Sequence, residues 1–323
     1  MSSLSRHIAC RSVQTLLVSG ALLSSFTLTA KAVEDELIVA DIVEGKVTNV
    51  RNITNRVGYD NQPHFSKVDK ALLYTSMFTI GSIDNGEQQQ VQTDSMRFDL
   101  TTQQTINLTN TLASEYSPTI TPDGEHFSVI RVGRSGKQLL HRYPYNSGDP
   151  QGKTLMGEVL LPEVYDVGYH VWLNADELLL FVLGEPMRLE RADVRTGKST
   201  LVDTNIGRTL RSVPNQEGFS YTKEKQGRWQ LKVYNADTNS VSEHTTLPDD
   251  NMYYAWHPDG RLLSAHGNVI MQNNDWKSPI TPQDMSENWQ PFADMSASCR
   301  GKVTRLAVNE QGDKLAFVCS VED

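Results

Sequence analysis

SPTITPDGEHFSV, residues 117–129, reads as a strand, a tight turn and a second strand. Pro122-Asp123-Gly124 supplies the turn, with Gly124 free to adopt the positive φ that such turns require. Ile120 ahead of the turn, and Phe127 and Val129 behind it, alternate as one face of a hairpin does. A lone hairpin leaves the fold open, whereas a series of them decides it.

Five further segments align on the same turn: PHFSKVDKALLY (63–74), HVWLNADELLLF (170–181), LRSVPNQEGFSY (210–221), YAWHPDGRLLSA (254–265) and LAVNEQGDKLAF (306–317). The turn residues Asp69, Gly124, Asp176, Gln216, Gly260 and Gly312 succeed one another at intervals of 40 to 55 residues. Four positions before the turn stand Phe65, Ile120, Trp172, Ser212, Trp256 and Val308, and three after it stand Leu72, Phe127, Leu179, Phe219, Leu263 and Leu315. Alternation at period two excludes helices here. Paired strands recurring every 40–50 residues or so are the signature of a β-propeller.

More polar hairpins lie between these. RFDLTTQQTINLT (97–109), MRLERADVRTGKSTLV (187–202) and WQLKVYNADTNSVSEHTTL (229–247) each run strand, Asp or Asn turn, strand. Each unit therefore holds about four strands, one propeller blade. The sixth core hairpin has no outer hairpin after it, yet ELIVADIVEGKVTNVRNIT (36–54) is an outer hairpin with no core hairpin before it. Joined, the two halves form one blade and close the ring, which removes the edge strands that invite aggregation. The expected fold is all-β: a six-bladed propeller over residues 33–323, closed by N-terminal strands pairing with the C-terminal hairpin.

The repeats carry a family resemblance. TPDG (121–124), HPDG (257–260) and the order strand, Asp turn, strand, Thr, Pro-x-aromatic-Ser across residues 36–76 resemble the WD40-like PD40 repeat of TolB-type six-bladed propellers. TolB itself carries an α/β domain ahead of its propeller, for which this chain has no room, so it is not expected to be TolB. The same repeats cap prolyl oligopeptidase-like peptidases, but there is no Gly-x-Ser-x-Gly elbow here. The resemblance implies a propeller that binds a protein or peptide of the cell envelope. It implies no reaction, because one fold hosts many functions.

The N-terminus sets the compartment. MSSLSRHIACR carries Arg6 and Arg11 and no acid, TLLVSGALLSSFTL is apolar, and Ala30-Lys31-Ala32 fits a cleavage site. Residues 1–32 therefore read as a signal peptide and the mature chain as periplasmic or secreted. The apolar run falls short of the roughly 20 residues that span a bilayer, so no membrane span is expected after cleavage. The formal charge of −9 argues against a nucleic-acid partner. Cys299 and Cys319 remain in the mature chain, where oxidising conditions favour a disulfide between them. The alternative is two buried thiols.

No catalytic motif stands out. GDPQGKT (148–154) has three residues, not four, between its first Gly and Gly-Lys, and the LMGEVLL stretch after it (155–161) reads as strand, so a phosphate loop is not expected. GRSGK (133–137) reads as a hairpin turn, and His170 and His257 as structural. Geometry points instead to the loops that enter the innermost strands, which converge on one mouth of the channel. They carry Asp60, Asn61, Glu115, Asp166, Arg208, Asp250, Arg300 and Lys302. Four acids there would polarise the mouth towards a cation or a basic ligand, with Tyr116, Tyr169, Trp172 and Tyr253 nearby. The expected function is non-enzymatic protein or peptide binding by a monomer with no cofactor. The alternative is a Ca²⁺-dependent lactonase or polysaccharide lyase, with Asp60, Glu115 and Asp166 joined by Asn61 or Asn251 in an oxygen cage.

Overall fold

The structure is a computed structural model and describes residues 33–83, 88–145, 157–249, 251–277 and 288–322. The expected signal peptide and the GDPQGKT stretch lie outside the described residues. Among those described there is no helix, hence none long and apolar enough to cross a membrane.

Six four-stranded antiparallel sheets form the blades. The first holds β3 (Asp60–Phe65), β4 (Ala71–Ile83), β5 (Gln88–Asp99) and β6 (Thr105–Asn107). The second holds β7 (Ser114–Ile120), β8 (His126–Val132), β9 (Gln138–Pro144) and β10 (Glu158–Val159). The third holds β11 (Val167–Trp172), β12 (Glu177–Val182), β13 (Arg188–Asp193) and β14 (Lys198–Thr204). The fourth holds β15 (Ile206–Ser212), β16 (Phe219–Lys225), β17 (Arg228–Asn235) and β18 (Ser240–Thr246). The fifth holds β19 (Ala255–Trp256), β20 (Leu262–His266), β21 (Val269–Asn273) and β22 (Gln290–Asp294). The sixth is made from both ends of the chain: β23 (Lys302–Val308) and β24 (Lys314–Glu322) are continued by β1 (Val33–Val43) and β2 (Lys46–Asn52). The β1–β24 ladder runs from Val33 opposite Glu322 to Asp41 opposite Lys314. The ring is thus closed as the repeat pattern requires.

Successive side chains of a strand point to opposite sheet faces, and here each face meets a neighbouring blade. Leu178, Leu180 and Val182 of β12 pack towards the second blade, whereas Leu179 and Phe181 pack towards the fourth. In β24, Leu315, Phe317 and Cys319 face the fifth blade, and Ala316 and Val318 face the first. Each of the six apolar clusters lies between two consecutive blades. Burial on both faces explains why the second strand of a blade reads as a continuous apolar run.

The core turns repeat with one variation. In four blades the bond closing the turn spans five residues, as in Thr121 N–H to His126 O. In the third and fifth it spans four, Leu173 N–H to Glu177 O and His257 N–H to Arg261 O. Trp172 and Trp256 consequently pair with Leu178 and Leu262, one residue earlier than a uniform repeat places them. Asp or Asn side chains cap four of these turns by accepting backbone N–H groups, as Asp123 does from Glu125 and His126, and the Ser66 hydroxyl does so in the first blade. Gly133 and Gly136 close the β8–β9 turn, the hairpin role read for GRSGK.

Candidate functional site

The innermost strand of each blade lines a channel. Five of these strands, β3, β7, β11, β15 and β23, have a register irregularity near the start. Bulges of this kind re-aim side chains. The residue seven places ahead of each turn position ends up on the channel wall: Gln62, Ser117, Tyr169, Thr209, Tyr253 and Arg305. Gln62 and Ser117 sit at φ of 60° and 56°, a conformation uncommon outside glycine. The Gln62 carboxamide oxygen holds this arrangement by accepting the Thr75 hydroxyl at 2.7 Å and the Ser117 N–H at 2.8 Å.

Inside the channel is a cavity of about 50 Å³, lined from all six blades. Arg305 of the sixth blade reaches across to the third, donating to the Tyr169 hydroxyl at 2.8 Å. Its guanidinium lies 4.8 Å from the Tyr169 ring centroid and 4.3 Å from that of Tyr253, within cation–π range of both. Arg211 of the fourth blade donates to the carbonyls of Leu210 and Leu306, each at 3.4 Å. Burial, with the repulsion of Arg305, pushes the Arg211 pKa below its ordinary value. Guanidinium pKa values lie so high that it stays charged at neutral pH. Arg208 lines the same cavity, and no Asp or Glu is among the lining residues. The two imidazoles in the wall are neutral: burial pulls His64 and His170 down to about 3.

A second cavity, of about 1040 Å³, opens where the inner strands of the fourth, fifth and sixth blades begin. Leu247, Met271, Trp289 and Val303 contribute apolar surface, and Arg228, Lys302 and the Asp249–His266 pair contribute charge. Tyr253 lines both this cavity and the inner one.

The structure disperses the residues expected at the mouth. Asp60 is fully buried, bound to Arg56 at 2.8 Å and the Ser76 hydroxyl at 2.5 Å. Asn61 is buried and donates to Asp35 at 2.6 Å. Glu115 is fully buried against Thr111 at 2.5 Å and Arg131 at 3.3 Å. Burial raises its pKa to about 7, against the opposing pull of Thr111 and Arg131. Asp166 and Arg300 are exposed, and Asp250 lies outside the described residues. Arg208 lines the inner cavity, while Lys302 and Asn251 line the outer one. The expected negative ring is not what faces the cavities; the inner one carries arginines instead. Among the described residues no three His, Cys, Asp or Glu side chains are gathered as metal ligands.

The sequence reading missed Arg211 and Arg305. Both stand next to a core leucine, Leu210 or Leu306, on an innermost strand. Counting back from the turn residues to the channel position would have found Arg305.

No family model matches the sequence, and no curated protein does. Solved structures do match. A TolB-designated structure from Agrobacterium tumefaciens superposes with a TM-score of 0.64 at 14% identity, over 90% of this chain and 99% of that one. The fold is TolB-like. A gluconolactonase-designated structure superposes with a TM-score of 0.52 at 10% identity, covering 84% of this chain and 92% of its own. An oligogalacturonate lyase in complex with manganese gives 0.50 at 13% identity, with 84% and 80% covered. At such identities the likeness shows the TolB-like fold and leaves the function to be read from the site.

Disulfide geometry agrees with the cysteine expectation. Cys299, just ahead of β23, is bonded to Cys319 in β24, and both are buried. The histidines singled out in the sequence are structural. His257 Nε2 lies 3.1 Å from the Gly312 carbonyl of the next blade, and His170 Nε2 lies 2.7 Å from Ser128 Oγ.

Proposed function

We propose that the protein is an exported envelope module that binds a protein or peptide partner at the channel mouth and catalyses no reaction. The observation that supports this reading is the outer cavity. Its volume of about 1040 Å³ accommodates several residues of a bound chain. Tyr253 and Met271, both half-buried, offer the aromatic and thioether surface on which peptide contacts concentrate, and buried Trp289 backs them. Charged groups at its edge, Arg228, Lys302 and the Asp249–His266 pair, would orient the partner. The N-terminal segment with its basic start, apolar run and Ala30-Lys31-Ala32 supports export.

The test is affinity capture from an envelope extract with the purified protein as bait, alongside Met271→Ala and Tyr253→Ala variants. The reading expects a partner retained by the native protein and weakened by either substitution. Retention of nothing, together with turnover of lactones or acidic oligosaccharides, would overturn it.

A further inference from the structure

We propose that Arg211 and Arg305 form a receptor inside the channel for a carboxylate, carried on an acidic side chain of the bound peptide. The proposal rests on the peptide-binding reading above and names the chemistry at the inner end of that site.

Beside the exposed Arg208, two half-buried guanidiniums line one small cavity, those of Arg211 and Arg305, and among the described residues neither of the two is paired with a carboxylate. Arg211 meets only two carbonyl oxygens, both at 3.4 Å, which leaves most of its five N–H donors without a close acceptor. Arg305 meets tyrosine hydroxyls and ring faces. Enclosed charges without a counter-charge are costly. A fold that holds two of the same sign against one cavity gains most from a ligand that brings the opposite sign. A carboxylate matches the planar guanidinium fork and satisfies two donors at once.

Size and surface choose among anions. The inner cavity holds about 50 Å³, room for roughly three or four water molecules. That suits a carboxylate head, and a sugar ring or polyphosphate is too large for it. The ring faces of Tyr169 and Tyr253 are occupied by Arg305, and Tyr254 is fully buried with its hydroxyl on Ser220. No aromatic platform in the lining is left for a sugar. Tyr253 lines both this cavity and the outer one, so the two sites adjoin at one side chain, and an acidic side chain of a peptide at the mouth would have to pass that residue.

The experiment is calorimetric titration of the purified protein with N-acetyl triglutamate amide, whose carboxylates are all on side chains. Triglutamine amide, trigalacturonate and inorganic phosphate are the comparison arms. Triglutamate should bind, more weakly as salt rises, and triglutamine should not. Arg211→Gln and Arg305→Gln should each weaken triglutamate roughly tenfold or more. Arg305→Lys, which keeps the charge and loses the fork, should fall between, and exposed Arg300→Gln should have no effect. Without ligand, Arg211→Gln should melt at or above the native protein, since it removes an uncompensated charge. That melt also verifies that the variant is folded. Equal binding of triglutamate and triglutamine, or unchanged triglutamate binding by a folded Arg211→Gln, Arg305→Gln double variant, overturns the proposal. So does tighter binding of trigalacturonate or phosphate than of triglutamate. An envelope partner captured equally by native protein and double variant would refute the receptor while leaving the peptide-binding reading intact. Capture of no partner at all, together with turnover of lactones or acidic oligosaccharides, would refute that reading.

Discussion

The indole Nε1 of Trp172 donates to Ser128 Oγ at 2.9 Å, across the junction between the second and third blades. The junction between the fourth and fifth repeats it, with Trp256 donating to Ser220 Oγ at 2.8 Å. In both places the residue two before the tryptophan reaches the same hydroxyl: His170 Nε2 at 2.7 Å and Tyr254 at 2.9 Å. A serine inside an otherwise apolar interface is thereby satisfied from the next blade. These are the blades with the shorter turn, which pairs their tryptophans one residue earlier.

Ser128→Ala should therefore cost more than the loss of one hydroxyl. It leaves a buried indole N–H and a buried imidazole nitrogen without partners, a penalty of about 1–3 kcal/mol. Urea unfolding should show a lower midpoint at unchanged slope. Ser128→Ala combined with Trp172→Phe should be less damaging than the sum of the single changes, because the second removes the donor that the first strands. Additive effects would show that the bond is not energetically coupled.

Reduction should destabilise the closing blade. Cys299 and Cys319 are 20 residues apart, and a loop of that length corresponds to about 3 kcal/mol of denatured-state entropy. Cys299→Ser with Cys319→Ser should lower the melting temperature by roughly 5–10 °C. Adding reductant to the native protein should move it in the same direction, and intact mass should register the two added hydrogens. A melt unaffected by reductant would mean that the sixth blade is held by its ladder alone.

Gly301 stands where the chain enters β23, and a Cβ there would lie 1.9 Å from the Ser320 carbonyl oxygen. Only backbone displacement of β24 could relieve that overlap, so Gly301→Ala should cost about 2 kcal/mol or more. Gly133→Ala is the comparison, since a Cβ at Gly133 meets nothing within 4 Å. It should be neutral or slightly stabilising. Both are read by thermal unfolding, and equal effects would contradict the close approach.

Strand pairs, blade boundaries and ring closure were legible because they arise from local turn chemistry and period-two patterning, both linear in sequence. Leu178 through Val182 show this: an apolar run this short, following a turn of the repeat, reads as a strand buried on both faces, and its two faces do pack against different blades. The channel was less legible. Asp60 and Glu115 lie in the loops or strand starts that geometry favours, but each turns inward to a cation of its own blade. Arg56 is four residues from Asp60, and Arg131 faces Glu115 only through the β7–β8 pairing. Arg305 lies inside the irregularity between Val303 and Leu306, which interrupts the alternation that would assign its direction, whereas Arg211 is in regular register opposite Ser220 and its reach to the Leu306 carbonyl of another blade is a tertiary contact.

Glu115 gives the protein a pH dependence of defined sign. Burial lifts its pKa from 4.5 to about 7 in the folded state, so between those values the folded chain holds a proton that the unfolded chain has released. Stability must then fall as pH rises through that window, by on the order of 3 kcal/mol in all. The orphaned Oε2 is consistent with a carboxyl kept neutral, and the Arg131 contact at 3.3 Å gains ionic character only as the proton leaves. Exposed carboxylates with lowered pKa values, such as Asp123 and Glu243, act in the opposite direction and at lower pH. The difference between native protein and Glu115→Gln isolates the effect. The variant should match the native protein near pH 4.5 and exceed its stability above pH 7, because Gln brings no charge into the site and can still accept from Thr111. Urea midpoints at several pH values measure that difference. A constant gap across the range would mean that Glu115 titrates as an ordinary carboxylate held ionised by Arg131.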